Sequence, residues 1–321
     1  MTGATGFLGR HLVPALLAAG HRVRAFVRPQ RSAGWLRTLP VEIASGDVTD
    51  RESVVRAVSG CRFVVHAAAR FRFWGPPAQF QHTNVTGTSN VCTAAASSGV
   101  ERFVYISTVA VAGVPRSGRV IDETYPCRPA DAYQQSKLDA EAVVLEHVAS
   151  DGLPAVILRP GAFYGPCSHY GFNRLFFDDP FRGLRIQVHG GQRLTFPVYV
   201  PDVAAAIIAT LARGRPGETY NVSGESLSHR AVNAIVSRQA GIHPFRLNCP
   251  AVLLLGLARA WTAMARVTRR EPFYPINLAT YVFHDWNVSS RKAAAELGFR
   301  ATPFEEGARA TVAWYREIGA I

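Results

Sequence analysis

Three glycines at a spacing of three residues, Gly3, Gly6 and Gly9, stand at the start of the sequence and lead into a helical pattern. Glycine at such positions permits a tight turn, a close approach of phosphate, and close packing of a helix on a strand. The N-terminal N–H groups of the helix then face an anion. We therefore predict a dinucleotide site, formed by Gly3, Thr5, Gly6, Phe7 and Leu8. Because glycine-rich turns also occur without ligands, this assignment depends on the later motifs.

Short apolar segments alternate with helical patterns through the first half of the chain, which is typical of repeated βαβ units. The predicted strands are 22–27, 41–45, 63–66, 103–106 and 155–158. The predicted helices are 8–19, 51–58, 86–98 and 133–150. We therefore expect an α/β fold of the Rossmann type, with a doubly wound parallel sheet.

The second half of the chain is less regular and indicates a second, smaller unit. Residues 1–165 are predicted to form the dinucleotide-binding Rossmann domain, with returns to it near 196–224 and 286–296. Residues 166–195 and 225–285, which are rich in aromatic and apolar side chains, are predicted to form a C-terminal substrate-binding lobe. Such a lobe would lie over the carboxyl ends of the strands, where open α/β sheets bind ligands.

The glycine loop begins unusually early, because only Met1 and Thr2 precede it. A loop of this kind normally follows a complete strand at the centre of the sheet. Either that strand is reduced to a stub, or translation starts upstream and Met1 stands at the place of an internal residue. We expect the second explanation, which in-frame coding sequence for a short apolar strand upstream would confirm.

The formal charge of +12 is carried almost entirely by arginine, since Lys137 and Lys292 are the only lysines. A basic balance is compatible with nucleic acid, an anionic membrane surface or an acidic cofactor. The arginines are scattered along the chain, so we expect a solvated basic surface and no nucleic-acid partner. The five cysteines are far apart and never in a CxxC spacing, which predicts no metal site and a reducing, cytoplasmic location.

The longest nearly apolar stretch, 251–258, is too short to span a bilayer and is expected to end at Arg259. The wider segment 251–270 combines apolar residues with four arginines. This composition is compatible with a helix of the lobe capped by charge, and also with peripheral contact at a membrane interface.

The end of the second predicted strand indicates which dinucleotide is bound. An acidic residue there would hydrogen-bond the ribose 2′-hydroxyl of NAD and repel a 2′-phosphate. This chain has Val27 and then Arg28, whose guanidinium pairs well with phosphate. We therefore predict NADP in preference to NAD, although Arg28 is also one of many surface arginines. Further cofactor contacts are predicted at Asp47, Val48, Ala67 and Ala68, which follow the next two strands.

Tyr133 and Lys137 are four residues apart in a predicted helix, so both project from one face. An ammonium beside a phenol favours the phenolate and lowers its pKa towards working pH. Tyr133 would then exchange a proton with an alcohol or carbonyl while hydride moves to or from a nicotinamide ring. The strand before this helix ends in Ser107 and Thr108, and either hydroxyl is placed to hydrogen-bond the reacting oxygen, with Thr108 preferred.

The order of these motifs resembles the extended short-chain dehydrogenase/reductases over essentially the whole chain. The matching segments are 2–9, 46–50, 66–69, 84–88, 107–108, 133–137 and 159–166. The resemblance implies that Thr108, Tyr133 and Lys137 form the catalytic set. It also implies that Asn84 lies beneath the active site, that Pro160 touches the nicotinamide end, and that the enzyme forms a homodimer through a two-helix interface.

Within that family, sugar-nucleotide epimerases and dehydratases usually carry an Arg-Asp pair whose arginine grips the substrate phosphates. This chain has Thr195 and Phe196 there, and Arg193 is two residues away as a substitute. The aromatic segment 71–75 and the apolar lobe instead resemble the branch of 3β-hydroxysteroid dehydrogenases. Segment 23–28 resembles the dihydroflavonol reductases, which use NADPH.

We therefore predict an NAD(P)-dependent oxidoreductase that interconverts a secondary alcohol and a ketone on a hydrophobic, sterol-, terpenoid- or lipid-like small molecule. An alternative is an NAD(P)-dependent sugar epimerase or dehydratase of the hopanoid-associated type, which recycles its cofactor. A protein that binds NADP only to sense redox state is disfavoured, because Thr108, Tyr133 and Lys137 are all present. The aromatic residues are also compatible with simple core packing of the lobe.

Overall fold

Strands and helices alternate in the computed structural model, which describes residues 1–31 and 33–321. The strands are β1 (Val23–Val27), β2 (Val41–Ser45), β3 (Phe63–His66), β4 (Arg102–Ile106), β5 (Ala155–Pro160), β6 (Ala162–Tyr164), β7 (Ile186–Gln187), β8 (Leu194–Thr195), β9 (Pro197–Tyr199), β10 (Thr219–Val222), β11 (Leu227–Ser228) and β12 (Leu247–Asn248). The α-helices are α1 (Phe7–Ala18), α2 (Arg51–Val58), α3 (Pro77–Phe80), α4 (Gly87–Ser97), α5 (Ala132–Asp151), α6 (Asp179–Phe181), α7 (Val200–Arg213), α8 (His229–Ala240), α9 (Ala251–Thr268), α10 (Ala279–Val282), α11 (Arg291–Leu297) and α12 (Phe304–Glu317).

The central parallel sheet is built in two parts that Thr2 joins. β1 pairs with β2, and β10, β5, β4 and β3 pair in that order, all in parallel. Thr2 forms isolated parallel bridges to Phe26 of β1 and His66 of β3, so the full order is β2-β1-Thr2-β3-β4-β5-β10. The order of strands reverses at Thr2, where doubly wound sheets form their ligand-binding crevice. The predicted Rossmann fold is therefore confirmed.

Helices cover both faces of this sheet, and each face has its own apolar core. On one face α1 packs against α7, with Leu12, Val13 and Ile207 fully buried. On the other face α4 packs against α2 and α5, over a core that includes Val91 and Val144. β4 and β5 are buried on both faces, which explains their nearly continuous apolar sequences.

The helical segment before α4 begins earlier than the pattern predicted. It starts with α3 at Pro77, continues through a π-helical turn at Gln81–Thr86, and joins α4 at Gly87. Pro77 occupies the first turn, where the fixed φ of proline suits a helix and its missing N–H costs nothing. The π turn carries Asn84, whose side chain is buried.

An aromatic core lies in the later part of the chain. Phe172, Phe176 and Phe177 pack there with Tyr164 and with Phe304 of α12. α8 packs against α12, whereas α11 packs on α7 and β10 of the main sheet. The domain boundaries drawn from the sequence stay a prediction, and α12, which lies beyond them, contributes to this aromatic core.

The segment after residue 250 forms one long helix. The apolar stretch 251–258 is only the first part of α9, which continues past Arg259 to Thr268, so the helix is longer than the stretch that was predicted to be too short for a bilayer. Arginine is a good helix former, so a single one does not end an apolar helix. Among the described helices, α9 alone is long and apolar enough to cross a membrane by length and composition, with a mean hydropathy of 1.3 over 18 residues.

Candidate active site

Two glycines of the N-terminal loop are required by close backbone packing. Gly3 has a φ of +71°, and a Cβ on it would lie 2.7 Å from the carbonyl carbon of Ala67. A Cβ on Gly9 would lie 2.0 Å from the carbonyl oxygen of Ala4. Gly6 is less confined, since its Cβ would meet only the Gly3 carbonyl oxygen, at 3.2 Å. The loop thus holds α1 tightly against the sheet and keeps the side at Gly6 open for a ligand.

A cavity of about 570 Å³ extends from this loop to the aromatic side chains of the later core. It brings together every residue predicted for the site, namely Gly3, Thr5, Gly6, Phe7, Leu8, Arg28, Asp47, Val48, Ala67, Ala68, Thr108, Tyr133, Lys137 and Pro160. Phe7 and Leu8 begin α1, whose first N–H groups lack partners within the helix. This part of the wall is therefore suited to an anion.

The wall near β1 suits the adenosine end of a nicotinamide dinucleotide. Arg28 and Arg31 line it, both are exposed, and neither forms an ion pair within residues 1–31 and 33–321. Asp47 accepts hydrogen bonds through Oδ1 from the N–H and hydroxyl of Thr49, at 3.0 and 2.9 Å. The other carboxylate oxygen of Asp47 has no such bond to the described residues, so it is available to an amine. The residues present therefore fit the adenosine end of a nicotinamide dinucleotide.

A buried hydrogen-bond network holds the end of β3 against the glycine loop. The Thr2 hydroxyl oxygen accepts from the N–H groups of Ala67 and Ala68, at 3.1 and 3.0 Å. Its own proton therefore goes to Nδ1 of His66, 2.8 Å away, and Nε2 of His66 donates to the Thr88 hydroxyl at 3.0 Å. Burial lowers the pKa of His66 to about 3, so the ring is neutral and acts as a structural bridge.

Asn84 joins the loop after β3 to the helix that carries Tyr133. Its side-chain carbonyl accepts from the N–H of Arg70 at 2.7 Å, and its amide donates to the Arg70 carbonyl at 3.2 Å. The same amide donates to the hydroxyl of Ser136 at 2.8 Å, and Ser136 donates to the carbonyl of Tyr133 at 2.8 Å. Both polar atoms of the Asn84 side chain are thus hydrogen-bonded, and these bonds position the segments around Tyr133.

Tyr133 lies among aromatic rings at the edge of the cavity. Its ring centroid is 4.9 Å from that of Phe71 and 6.4 Å from that of Phe80. Burial raises the pKa of the phenol, the charge of Asp131 raises it further, and the Thr108 hydroxyl opposes this shift. The expected lowering of the Tyr133 pKa by Lys137 is wrong for this structure, in which Lys137 donates to the Ile106 carbonyl and burial sets the direction of the shift. The phenol is protonated at neutral pH.

Lys137 is buried and directed at β4. Its Nζ donates to the carbonyl of Ile106 at 2.6 Å and lies 4.2 Å from the centre of the Tyr105 ring. Burial lowers the pKa of Lys137 to about 7, and the carboxylate of Glu141 opposes the shift. Lys137 therefore gains or loses its proton near neutral pH.

Two hydroxyls follow β4 in the cavity wall. The Thr108 oxygen accepts from the N–H of Ala110 at 3.2 Å, so its own proton stays available for donation. The Ser107 hydroxyl is buried and has no hydrogen-bond partner among the residues described. Both residues line the cavity, and Thr108 is the one that interacts with the phenol of Tyr133.

Aromatic residues close the side of the cavity opposite the glycine loop. The Phe71 ring is 5.3 Å from Phe73 and 5.4 Å from Tyr170 between centroids. The Tyr170 hydroxyl donates to Glu271 at 2.6 Å and accepts from the N–H of Phe73 at 3.2 Å. Asn277 donates to the carbonyl of Phe73 at 3.0 Å. The loop after β3 is therefore tied to two later segments of the chain.

His229 and Tyr281 also line the cavity, and sequence analysis missed both. His229 begins α8, packs 5.2 Å from the ring of Phe176, and has no partner for Nε2 in the described part of the chain. Burial lowers the pKa of His229 to about 4, so its ring is neutral at pH 7. The Tyr281 hydroxyl accepts from the side-chain amide of Gln134 at 3.0 Å. No motif marks either residue, because only the fold brings these distant segments together.

Arg193 is held away from the cavity. It donates to Asp285 at 2.7 Å, and the same carboxylate accepts from the N–H of Leu194 at 3.0 Å. Thr195 and Phe196 line the cavity instead, and Phe196 stacks on Trp286 at 4.3 Å. The position expected to present an arginine to substrate phosphates thus presents a hydroxyl and an aromatic ring.

Comparison with known proteins places the chain in a family. Residues 1–223 match the model of the NAD dependent epimerase/dehydratase family. The chain is 30% identical to a 4-hydroxy-2-methyl-3-oxo-4-farnesyl-3,4-dihydroquinoline-1-oxide ketoreductase of Stigmatella aurantiaca, over 93% of this chain and 90% of that protein. It is 32% identical to sterol demethylase protein B of Methylococcus capsulatus, over 100% and 99%. The crystal structure of a Thermus thermophilus UDP-glucose 4-epimerase in complex with NAD matches with a TM-score of 0.77 and 28% identity, over 98% and 97%.

The chain therefore belongs to the NAD-dependent epimerase/dehydratase family, and the resemblance to extended short-chain dehydrogenase/reductases is confirmed. It is an NAD-dependent enzyme of the oxidoreductase type that this family contains. The names of its relatives include both a ketoreductase and an epimerase. Family membership thus leaves the reaction and the substrate open.

Proposed function

We propose that this enzyme reduces a ketone on an apolar small molecule to a secondary alcohol, with NADPH as the reductant. The observation that carries the proposal is the lining of the cavity on the lobe side. Among the described residues from 168 to 282, those that line the cavity include no arginine and no lysine. Arg70 and Arg72 line it from the loop after β3, where Arg72 pairs with Glu271 and the Arg70 guanidinium lies over the Phe80 ring. Phosphate charges buried against residues 168–282 would find no cationic partner in that segment, which is costly. An apolar ketone would gain roughly 25 cal/mol for each Å² of apolar surface buried.

Aromatic and aliphatic side chains supply this apolar surface. The lining residues on the lobe side are Gly171, Phe172, Leu175, Phe176, Phe196, Leu278 and Val282, with Ser168, Tyr170, Thr195, His229 and Tyr281 as the polar members. The polar members are neutral hydroxyl and imidazole groups, which orient an oxygen of the substrate without requiring it to be charged. This combination suits a sterol-, terpenoid- or lipid-like ketone.

Tyr133 is the proposed proton donor. When bound, the nicotinamide supplies hydride to the carbonyl carbon, and the substrate oxygen then needs a proton. Burial keeps the Tyr133 phenol protonated, which is the form that can give up a proton in the reductive direction. The Thr108 hydroxyl, free to donate, stabilises the developing charge on the same oxygen. Lys137, with a pKa of about 7, exchanges protons near neutral pH and is proposed to hold the cofactor ribose.

Arg28 supports the choice of NADPH. It lines the cavity, is exposed and has no ion-pair partner within the described residues, so its guanidinium is free to bind a 2′-phosphate. Arg31 lines the same wall and adds to the positive potential. Arg28 and Pro29, the two residues that follow β1, are not acidic, so no carboxylate there would repel a phosphate.

The names of two relatives agree with this proposal, and one supports the alternative. The Stigmatella protein is a ketoreductase of a farnesylated quinoline, and the Methylococcus protein acts in sterol demethylation by its name. The similarity to a UDP-glucose 4-epimerase structure favours the second candidate, a sugar epimerase. The absence of an arginine at Thr195 and Phe196, and the commitment of Arg193 to Asp285, weigh against that candidate.

Net cofactor consumption separates the two reactions. The purified enzyme is incubated with NADPH or NADH and, in separate arms, a 3-oxosterol, a terpenoid ketone, a 3-oxo lipid and UDP-glucose. We expect one equivalent of NADPH to be consumed for each equivalent of alcohol formed with at least one apolar ketone, and faster turnover than with NADH. Interconversion of the UDP-sugar without net cofactor consumption, with every ketone left unreduced, would overturn the proposal.

A further inference from the structure

α9 is apolar on nearly all sides, yet only one side of it packs on the protein. Ala258 and Ala265 are buried on the inner side, and the Trp261 ring packs 5.7 Å from Phe273 and 6.1 Å from Tyr274. A helix that is apolar all round normally lies in a protein core or in a membrane. The outer side of α9 therefore needs an explanation.

The outer side forms one continuous apolar face. At about 100° per residue, five large apolar side chains fall within an arc of about 140°. These residues, called here the outer face of α9, are Val252, Leu253, Leu257, Met264 and Val267. All five are exposed, Val252 at 83% and Val267 at 85%. Gly256, Ala260 and Ala263 fill the positions between them, so this arc carries no polar side chain.

Positive charge borders this face, and the nearest carboxylate in the sequence, Glu271, is paired with Arg72. Arg259 and Arg266 are seven residues apart and run along one edge of the outer face, and Arg269 and Arg270 follow its C-terminal end. Residues 226–270 contain seven arginines and no aspartate or glutamate. The four arginines near α9 form no ion pair with the residues that the structure describes. An anionic apolar surface is complementary to this arrangement.

We propose that the outer face of α9 docks the enzyme on an anionic lipid bilayer, with the helix lying in the plane of the interface. An exposed apolar arc bordered by arginines is the pattern of interfacial helices, in which the apolar face enters the acyl boundary and the cations meet the headgroups. α9 does not cross the bilayer in this arrangement, because its inner side is fixed against the protein by Trp261 and by the Thr262 hydroxyl, which accepts from the N–H of Ile276 at 3.3 Å.

The position of α9 connects the docking face to the cavity. The residues packed under α9 lead directly into Leu278, Tyr281 and Val282, which line the cavity. An apolar molecule dissolved in the bilayer would thus meet the enzyme at the segment that covers its binding cavity. Docking itself goes beyond the proposed reaction and does not depend on it.

Flotation with lipid vesicles tests the docking face without requiring turnover. The full-length protein is mixed with vesicles of phosphatidylcholine, or of phosphatidylcholine with phosphatidylglycerol, and the fraction that floats is measured at low and high salt. We expect binding to the anionic vesicles that weakens as salt rises. We expect the double variants V252Q/V267Q and R259Q/R266Q to lower the partition coefficient by about tenfold each.

Two matched variants control for general effects. V55Q/V120Q changes valines that are 46% and 49% exposed elsewhere, and R300Q/R309Q removes two exposed arginines far along the sequence. Both are expected to float like the wild type, and thermal unfolding of each variant verifies its fold. The proposal is overturned if the wild type does not bind anionic vesicles, or if the α9 variants bind as well as the controls. Sedimentation of the same proteins detects the alternative that this face joins two copies of the chain, in which case the α9 variants change the oligomeric state and vesicle binding is absent.

Discussion

Burial shifts the pKa values of Tyr133 and Lys137 in opposite directions. It raises the pKa of the phenol and lowers that of the ammonium to about 7, so both groups are driven towards their neutral forms. The neutral phenol is the form that donates a proton. The buried lysine, however, is costly to protonate, and this cost is measurable as a dependence of stability on pH.

Replacing Lys137 by methionine should remove that pH dependence. Because the folded-state pKa is below the unfolded value, the unfolded chain binds the proton first as pH falls, and the wild type loses stability between about pH 10 and pH 7. The unfolding free energy of Lys137→Met should therefore increase relative to the wild type over this interval, by at most about 5 kcal/mol, and the difference should level off below pH 7.

Denaturant unfolding at several pH values measures this difference. Lys292→Met is the matched control, since Lys292 is the other lysine of the chain and is partly exposed in an ion pair with Glu218. The comparison separates the removal of the buried ammonium from the general effect of replacing a lysine by methionine. A constant difference between Lys137→Met and the wild type across the interval would contradict the assignment of a buried, destabilised ammonium.

Arg28 offers a second test at the level of a single residue. Arg28→Ala removes the proposed partner of the 2′-phosphate, so the KM for NADPH should rise by about tenfold while the KM for NADH stays unchanged. Arg22→Ala, another exposed arginine of the same segment that does not line the cavity, should alter neither constant. An equal rise of both KM values in Arg28→Ala would mean that Arg28 does not read the 2′-phosphate. Steady-state kinetics with both cofactors decides between these outcomes.

The predicted site residues were found from sequence because each lies in a short motif at the end of a strand or the start of a helix. Gly3, Ala67, Thr108 and Pro160 all reach one cavity since parallel strands place their carboxyl ends together. The direction of the Tyr133 pKa shift could not be predicted in this way. It arises mainly from the burial of the phenol, which only the folded chain produces, among neighbours that include Phe71 and Phe80.

At the level of elements, α1 is fixed to the sheet by contacts that leave no room for a side chain at Gly9. Gly9→Ala would place a Cβ 2.0 Å from the Ala4 oxygen, so the backbone must move and the unfolding free energy should fall by at least about 2 kcal/mol. Gly256→Ala is the matched control, because Gly256 lies inside α9 with nothing within 4 Å of a Cβ. It should stabilise the protein by about 0.5–1 kcal/mol.

Urea unfolding of both alanine variants measures these changes. The two substitutions add the same methyl group to a helical glycine, so their opposite signs isolate the effect of close packing from helix propensity. A Gly9→Ala variant as stable as the wild type would contradict the close approach of α1 to the loop.

The observed bounds of β2, β3 and α2 agree with the predicted ones, although β2 is only partly buried. The pattern failed at Pro77, since a proline reads as a helix breaker unless it stands in the first turn. α9 passes through Arg259, which ends the apolar stretch but not the helix, because a single charge on an exposed helix edge costs the helix nothing. At Pro77 the local sequence is ambiguous and the surrounding fold decides.

For the whole molecule, the cavity between the Rossmann sheet and the aromatic core determines what the enzyme accepts. Its cofactor side follows from sequence motifs, whereas its lobe side is assembled from residues separated by more than a hundred positions, such as Tyr170 and Tyr281. The ion pair between Arg193 and Asp285 illustrates this limit. The sequence allowed Arg193 to replace the missing phosphate-binding arginine, and only the structure shows that it is committed elsewhere.

The most direct test of the central claim is the turnover number of Tyr133→Phe for NADPH-dependent reduction of an apolar ketone. The substitution keeps the ring that packs on Phe71 and Phe80 but removes the proton donor, so kcat should fall by about 10²–10⁴-fold while NADPH binding persists. Tyr125→Phe is the matched control, because Tyr125 does not line the cavity and its hydroxyl accepts from the N–H of Arg116 at 2.9 Å. A Tyr133→Phe enzyme that reduces the ketone with the wild-type kcat would contradict the account.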